Sequence, residues 1–209
     1  MGYYPIFLEM KDRRCVVIGG GAVAQRRVEG LLAAGANVTV ISPAITDGLQ
    51  DLVGQGAIRH VAREYRTGDR AGYDLVSVAT DNLQTNAAVA TEARSMRIWV
   101  NSADDPDHCD FILPAVIRRG DLAVAVSTGG VSPAAARAIR EELEEYFTAD
   151  YAEFVQTAGE VRRELWEKSA STAAGAWNRA LQGDFRRLIK EGKPVQAKKY
   201  LLETLGAKS

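Results

Sequence analysis

Residues 104–110 read Asp104-Asp105-Pro106-Asp107-His108-Cys109-Asp110: four carboxylates, one imidazole and one thiol in seven positions. Groups of this kind take up and release protons, and a free imidazole does so at a pKa of about 6.5. The stretch follows Ile98-Trp99-Val100-Asn101, a strand-like run. It therefore stands at the carboxyl end of a strand, where open α/β sheets collect their ligands. The same residues also read as a solvated acidic loop with helix-capping aspartates, because clustered ionisable groups mark sites only statistically.

A second stretch carries binding chemistry. Cys15-Val16-Val17-Ile18 is a continuous apolar run, as a parallel strand buried on both faces requires. Gly19-Gly20-Gly21-Ala22-Val23-Ala24 follows at once and fits G-x-G-x-x-G/A, with Gly19, Gly21 and Ala24 at the small positions. The first permits a tight turn, the second lets a pyrophosphate reach the backbone, and the third packs helix on strand. Gln25 to Ala34 reads as a helix stopped by Gly35, and Asn37–Ile41 as a second strand. Strand, glycine turn, helix and strand at this spacing form a dinucleotide-binding unit, with Gly19, Gly21, Ala22 and Val23 at the cofactor. The bland alternative is a glycine turn that only packs a helix on a sheet. No acid ends the second strand. Ser42-Pro43 stands there instead; Ser42 can bond a ribose but does not repel a 2′-phosphate, so NAD and NADP stay undistinguished at this point.

These residues need a scaffold, and the rest of the chain supplies one. Tyr3–Met10 reads as a short strand near the sheet, Ala44–Gly56 as a helix, Ile58–Val61 as a third strand, and Glu64–Gly72 as polar turns. His60 shares a face with Ile58 and reads as a packing residue. Tyr73–Thr80 is a fourth strand; Asn82 caps a helix from Leu83 to Ser95. Ala79-Thr80-Asp81 is either a second cofactor-facing loop or a plain cap. The acidic turn runs on into Phe111–Ile117, and Leu122–Ser127 is a sixth strand, preceded by the turn Arg118-Arg119-Gly120-Asp121. Ser132 and Pro133 then open a long helix to about Phe147, whose N-terminus suits a carboxylate. From Asp150 helical spacing takes over: Tyr151–Lys168, Ala176–Lys190 and Pro194–Leu205, with a break at 169–175. The fold class is α/β, a Rossmann-type parallel sheet followed by a small α+β segment and a C-terminal helical domain.

Composition narrows the function. The 209 residues carry 26 Lys and Arg against 27 Asp and Glu, so no global charge draws nucleic acid or an anionic membrane. No apolar run reaches the roughly 18–20 residues that span a bilayer. The N-terminus lacks the order of a signal peptide, and Ile6 stands where a myristoylation signal wants Ser or Thr. Two cysteines, Cys15 and Cys109, match no zinc spacing and no disulfide scaffold. No resident metal site is read, and a cytoplasmic location is expected.

Together the motifs resemble the precorrin-2 dehydrogenase / sirohydrochlorin ferrochelatase family, the amino-terminal module of siroheme synthase. The resemblance rests on Pro5-Ile6-Phe7, Val17-Ile18-Gly19-Gly20-Gly21-x-Val23-Ala24 with Arg26-Arg27, and Ala79-Thr80-Asp81. It continues through Asn101-x-x-Asp104-Asp105-Pro106, Cys109-Asp110-Phe111-x-x-Pro114-Ala115, Arg119-Gly120-Asp121-Leu122 and Ser127-Thr128-Gly129-Gly130-x-Ser132-Pro133. It covers essentially the whole chain, most firmly residues 1–147; the C-terminal helices match only in length and character. With no methyltransferase segment after Ser209, the stand-alone form is expected.

The resemblance implies NAD-dependent oxidation of precorrin-2 to sirohydrochlorin, in some members followed by insertion of ferrous iron to give siroheme, and it implies a homodimer. It divides the chain into an NAD-binding domain at 1–113, a dimerisation segment at 114–148 and a tetrapyrrole-covering domain at 149–209. Asp104 aligns with the family's catalytic aspartate, and a carboxylate near the macrocycle suits a general base. His108 competes for that role and could meet transient iron. Ser42, Pro43 and Thr80 join the cofactor set. The substrate carries eight carboxylates, and Asn101, His108, Thr128, Gly129, Gly130, Ser132 and Arg137 are the residues expected to meet it, with Arg118 or Arg119 as further cations. A non-enzymatic dinucleotide-sensing module is the alternative; it would normally show the acid that is missing after the second strand.

Overall fold

The computed structural model describes residues 2–69, 71–103, 105–168 and 174–206. The chain divides into two compact units, Met1–Ile112 and Leu113–Ser209.

The first unit is a five-stranded parallel sheet in the order β3-β2-β1-β4-β5. Its strands are β1 Arg14–Ile18, β2 Asn37–Ile41, β3 Ile58–Val61, β4 Leu75–Val78 and β5 Trp99–Ser102. β1 is central, and Cys15, Val16 and Val17 are completely buried. Alternation sends Cys15 and Val17 to one face, with Val38, Val40 and Leu75; helices α1 (Ala22–Ala33) and α2 (Asp47–Gly54) cover it through Ala24, Val28 and Leu49. Val16 and Ile18 go to the other face, with Ile41, Val76 and Val78, under Val89, Ala90 and Ala93 of α3 (Leu83–Ser95). The chain winds outward from β1 in both directions, so the switch point of the topology lies between β1 and β4.

The second unit pairs β6 (Ala115–Arg119) and β7 (Leu122–Val126) as an antiparallel hairpin separate from the parallel sheet. α4 (Pro133–Tyr146) follows, then α5 (Asp150–Glu167), α6 (Ala174–Ala180), α7 (Asp184–Lys190) and α8 (Pro194–Gly206). Val161, Leu165, Phe185, Ile189, Leu201 and Leu205 form the core of these last helices. Arg186 pairs with Asp150 and lies 4.0 Å from the centre of the Tyr151 ring. Burial disfavours the Asp150 carboxylate, but bonds from Thr148 and Arg186 outweigh it and hold its pKa below the ordinary value. Among the described residues no helix is long and apolar enough to cross a membrane.

Three expectations need correction. Residues 3–10 form no strand: Pro5 offers no N–H, and Tyr4, Ile6 and Phe7 stand exposed with no sheet edge beside them in register. The helix expected from Ala44 begins at Asp47, because Thr46 caps it by accepting from Leu49 N–H at 3.3 Å. The helix expected over Ala176–Lys190 is two helices, since Gly183 takes φ 57° and turns the chain between α6 and α7.

Candidate active site

The carboxyl ends of β1, β2, β4 and β5 bring four loops to one edge of the first unit. The β1–α1 corner is the tightest. Gly19 has φ +119°, and a Cβ there would lie 2.1 Å from the Ala79 carbonyl oxygen. A Cβ on Gly20 would come within 1.9 Å of the Ala44 carbonyl oxygen. Among the described residues, a Cβ on Gly21 would meet nothing within 4 Å. The first two glycines thus close the fold, and the third faces open space.

Gly21 also begins α1 with no side-chain cap and no acid in the first turn. Gln25 N–H reaches back to the Gly21 carbonyl at 3.0 Å, so the amides of Ala22, Val23 and Ala24 precede the first intrahelical bond. Free amides, a positive dipole end and an empty approach over Gly21 fit the pyrophosphate of a dinucleotide.

At the end of β2, Ser42 is buried and donates its hydroxyl to the Ala44 carbonyl at 2.7 Å, while Pro43 is exposed. The His60 ring holds the Ser42 carbonyl at 2.9 Å, a packing role. At the end of β4, Thr80 donates to Asn86 Oδ1 at 2.6 Å, and Asn86 returns a bond to the Thr80 carbonyl at 3.0 Å. Asn82 accepts from Gln84 and Thr85 N–H at 3.0 and 3.1 Å, capping α3.

The acidic turn after β5 is tied down from several sides. Asn101 donates to the Phe111 carbonyl at 2.8 Å. Asp110 accepts from Val100 N–H at 2.9 Å and from Arg94 at 3.2 Å, and Arg94 also reaches the Asp107 carbonyl at 3.0 Å. Cys109 Sγ lies 3.2 Å from both the N–H and the carbonyl of Ser102. The His108 ring contacts the Asp105 carboxylate at 2.7 Å. Asp104 lies outside the described residues. Burial raises the Cys109 thiol above its ordinary pKa, and burial together with Asp74 pushes Cys15 up to about 11. Both are therefore protonated at neutral pH, packed groups and not nucleophiles. Asn101 Oδ1 and Ser102 Oγ are buried in this corner without partners among the described residues. Among the described residues no group of three or more His, Cys, Asp or Glu could hold a metal ion.

The remaining expected site residues belong to the second unit. Thr128 Oγ1 accepts from Ser132 N–H and donates to the Ser132 carbonyl, both at 3.0 Å. Ser132 in turn accepts from Ala135 N–H at 3.1 Å and caps α4. Gly129 and Gly130 take φ +63° and +86° to make that turn, and Arg137 is exposed.

A family model described as "Putative NAD(P)-binding" matches residues 6–115. The chain belongs to this NAD(P)-binding family. A second family model, "Sirohaem biosynthesis protein central", matches residues 119–146. The siroheme synthase of Nitrosomonas eutropha is 39% identical over 208 residues, covering 98% of this chain and 44% of that protein. That of Methylococcus capsulatus is 39% identical over 99% of this chain and 44% of its own length. The chain thus spans about 44% of the curated relatives it matches. A solved structure titled SirC, precorrin-2 dehydrogenase, superposes with a TM-score of 0.74 over 97% of this chain and 98% of that one, at 24% identity. It shares the fold. The family resemblance drawn from the motifs therefore stands.

Within this NAD(P)-binding unit, two features escape sequence reasoning. Gly20 reads as a free position in the glycine pattern, yet it has the closest backbone neighbour of the three. Arg94, which no motif singles out, clamps the acidic turn. Its position in the last turn of α3 was the only available signal.

Proposed function

We propose that this chain oxidises precorrin-2 to sirohydrochlorin with NAD, as one step of siroheme biosynthesis in the cytoplasm, and works as a homodimer. The observation that carries the reading is the uncapped α1 N-terminus over the open Gly21, in the same unit as the tethered turn 101–110. The amides of Ala22 and Val23 would hold the pyrophosphate, Ser42 and Pro43 the adenosine ribose, and the Thr80 loop the nicotinamide half. NAD bound there supplies the hydride acceptor. Oxidation also releases a proton, and Asp104 is assigned to take it as general base. His108, fixed against Asp105, is the nearby reserve acid–base group. Asn101 sets the base of that turn through its bond to Phe111.

The second unit supplies the substrate's carboxylate contacts in this reading, through the Thr128-Gly129-Gly130-Ser132 turn and Arg137. Insertion of ferrous iron as a substrate is a second activity of the same base, since pyrrole N–H protons must also leave. The test is spectral: purified chain with precorrin-2 and NAD should form sirohydrochlorin. Asp104→Asn should lower kcat by about 100-fold or more while leaving the Kd for NAD within about twofold. Wild-type turnover in that variant removes Asp104 from the role; no turnover by the wild-type chain removes the function.

A further inference from the structure

Helix covers only part of the sheet face under α3. α3 packs over β4 and its neighbours through Val89, Ala90 and Ala93. The crossover from β3 to β4, which in a doubly wound sheet would place a helix over β1, β2 and β3, contains no helix among its described residues. Tyr65 and Tyr73 of that crossover pack on the face in its place. An open cavity of about 490 Å³ remains at the amino-terminal ends of these strands, the end away from the glycine corner.

Its lining is polar and cationic. Arg14, Thr39 and Arg59 occupy it, with Asn37, Tyr73 and Gly72. Register places Thr39 beside both Val16 and Arg59. Thr39 is only 8% exposed, yet its hydroxyl has no hydrogen-bond partner among the described residues. The guanidinium groups of Arg14 and Arg59 likewise have no partner among them. The nearest carboxylate, Asp74, is already used: it accepts from Arg14 N–H at 2.9 Å and from Arg13 at 3.4 Å. Gly72, at φ +85°, lets the Arg14 guanidinium lie against the chain; a Cβ there would come within 3.4 Å of it.

A hydroxyl open to the cavity with no protein partner among the described residues, in the same cavity as two unpaired guanidinium groups, is a receptor for an anion. We propose that this cavity binds the phosphate or carboxylate group of a small metabolite, seated on the Thr39 hydroxyl between Arg14 and Arg59. Guanidinium groups pair with either oxyanion in planar, charge-assisted fashion. A cavity of this volume admits a metabolite and not only an ion. The site does not depend on the proposed reaction and shares no residue with it.

Calorimetric titration of the whole chain tests this, with inorganic phosphate and succinate as separate probes at physiological ionic strength. NAD is included in one series, so that phosphate cannot be scored at the α1 N-terminus. At least one probe should bind with a Kd below about 10 mM, and the stronger one names the ligand class. The double variant Arg14→Gln/Arg59→Gln, altered only at exposed side chains, should weaken it by about tenfold or more. Thr39→Val, which preserves shape, should weaken it by about threefold. The Kd for NAD should not move in either variant. Failure of both probes to bind, or an affinity that the double variant retains, overturns the proposal.

Discussion

Two corners of the same sheet edge solve the same problem in opposite ways. β1 and β4 are neighbours, and each delivers the chain into a helix at its carboxyl end. At the β4–α3 corner the helix start is finished internally. Asn82 takes two amides, and Thr80 and Asn86 lock the loop behind it. At the β1–α1 corner the helix start is left open, with Gly21 contributing no oxygen and no acid standing in the first turn. A side-chain cap is worth about 1 kcal/mol. Of the three helices packed on the sheet, α2 and α3 are capped and α1 is not; α1 forgoes that stability at the strand ends, where an anionic ligand can supply the missing acceptors, whereas the uncapped α5 and α7 lie outside the sheet unit. In the proposed reading, the difference separates a helix start completed by the protein's own side chains from one left for the pyrophosphate.

The largest effect should come from erasing the glycine that makes the open corner possible. Gly19→Ala puts a methyl group 2.1 Å from the Ala79 carbonyl oxygen, on a backbone at φ +119°. Strain and overpacking together should cost about 3 kcal/mol or more. Urea unfolding checks this. A midpoint that stays put would mean that the two corners do not touch as closely as the geometry says.

The sharper test closes the open corner on purpose. Gly21→Asp has room for its side chain, since nothing lies within 4 Å of a Cβ there, and its φ of −82° suits any residue. The new carboxylate should cap α1, raising stability by a few tenths of a kcal/mol (roughly the gain over Gly at an N-cap). It should also occupy the amides meant for the pyrophosphate and repel it, weakening NAD by about tenfold or more. Stability and affinity then move in opposite directions in one variant, which a merely structural glycine would not do. Calorimetry with NAD, paired with thermal melts, reads both.

Legibility in the sequence follows the same divide. Short-range rules place the open corner well: a buried apolar run, small residues at fixed offsets and a helix stopped by Gly35 together locate β1, α1 and β2. Asn82 announces the capped corner, because its side chain acts within three residues. What escapes depends on distant neighbours. Gly20 matters because of Ala44, which lies well away in the chain. The break at Gly183 is hidden because the apolar spacing of Ala176–Lys190 stays in phase across it. The cavity proposed for an anion is hidden because a polar, turn-rich stretch at 64–72 reads as an ordinary loop; only the folded sheet reveals the opening at the starts of its strands. The role proposed for Asp104 rests on family resemblance and on the chemistry of a general base.

The smallest effect belongs to the helix start that is capped from within. Asn82→Ala removes the acceptor of the Gln84 and Thr85 amides and should cost about 1 kcal/mol. Asn82→Gly, which exposes the same amides to water and keeps the extended backbone, should cost only a few tenths. Neither should change the Kd for NAD by more than about twofold, because the amides they free point from α3 and not from α1. Chemical denaturation of the two variants against wild type, with NAD titration of each, separates the outcomes. If Asn82→Ala instead weakened NAD as strongly as Gly21→Asp does, the α3 helix start itself would hold the cofactor, beyond the loop at Thr80, and the contrast between an open and a finished helix start would fall.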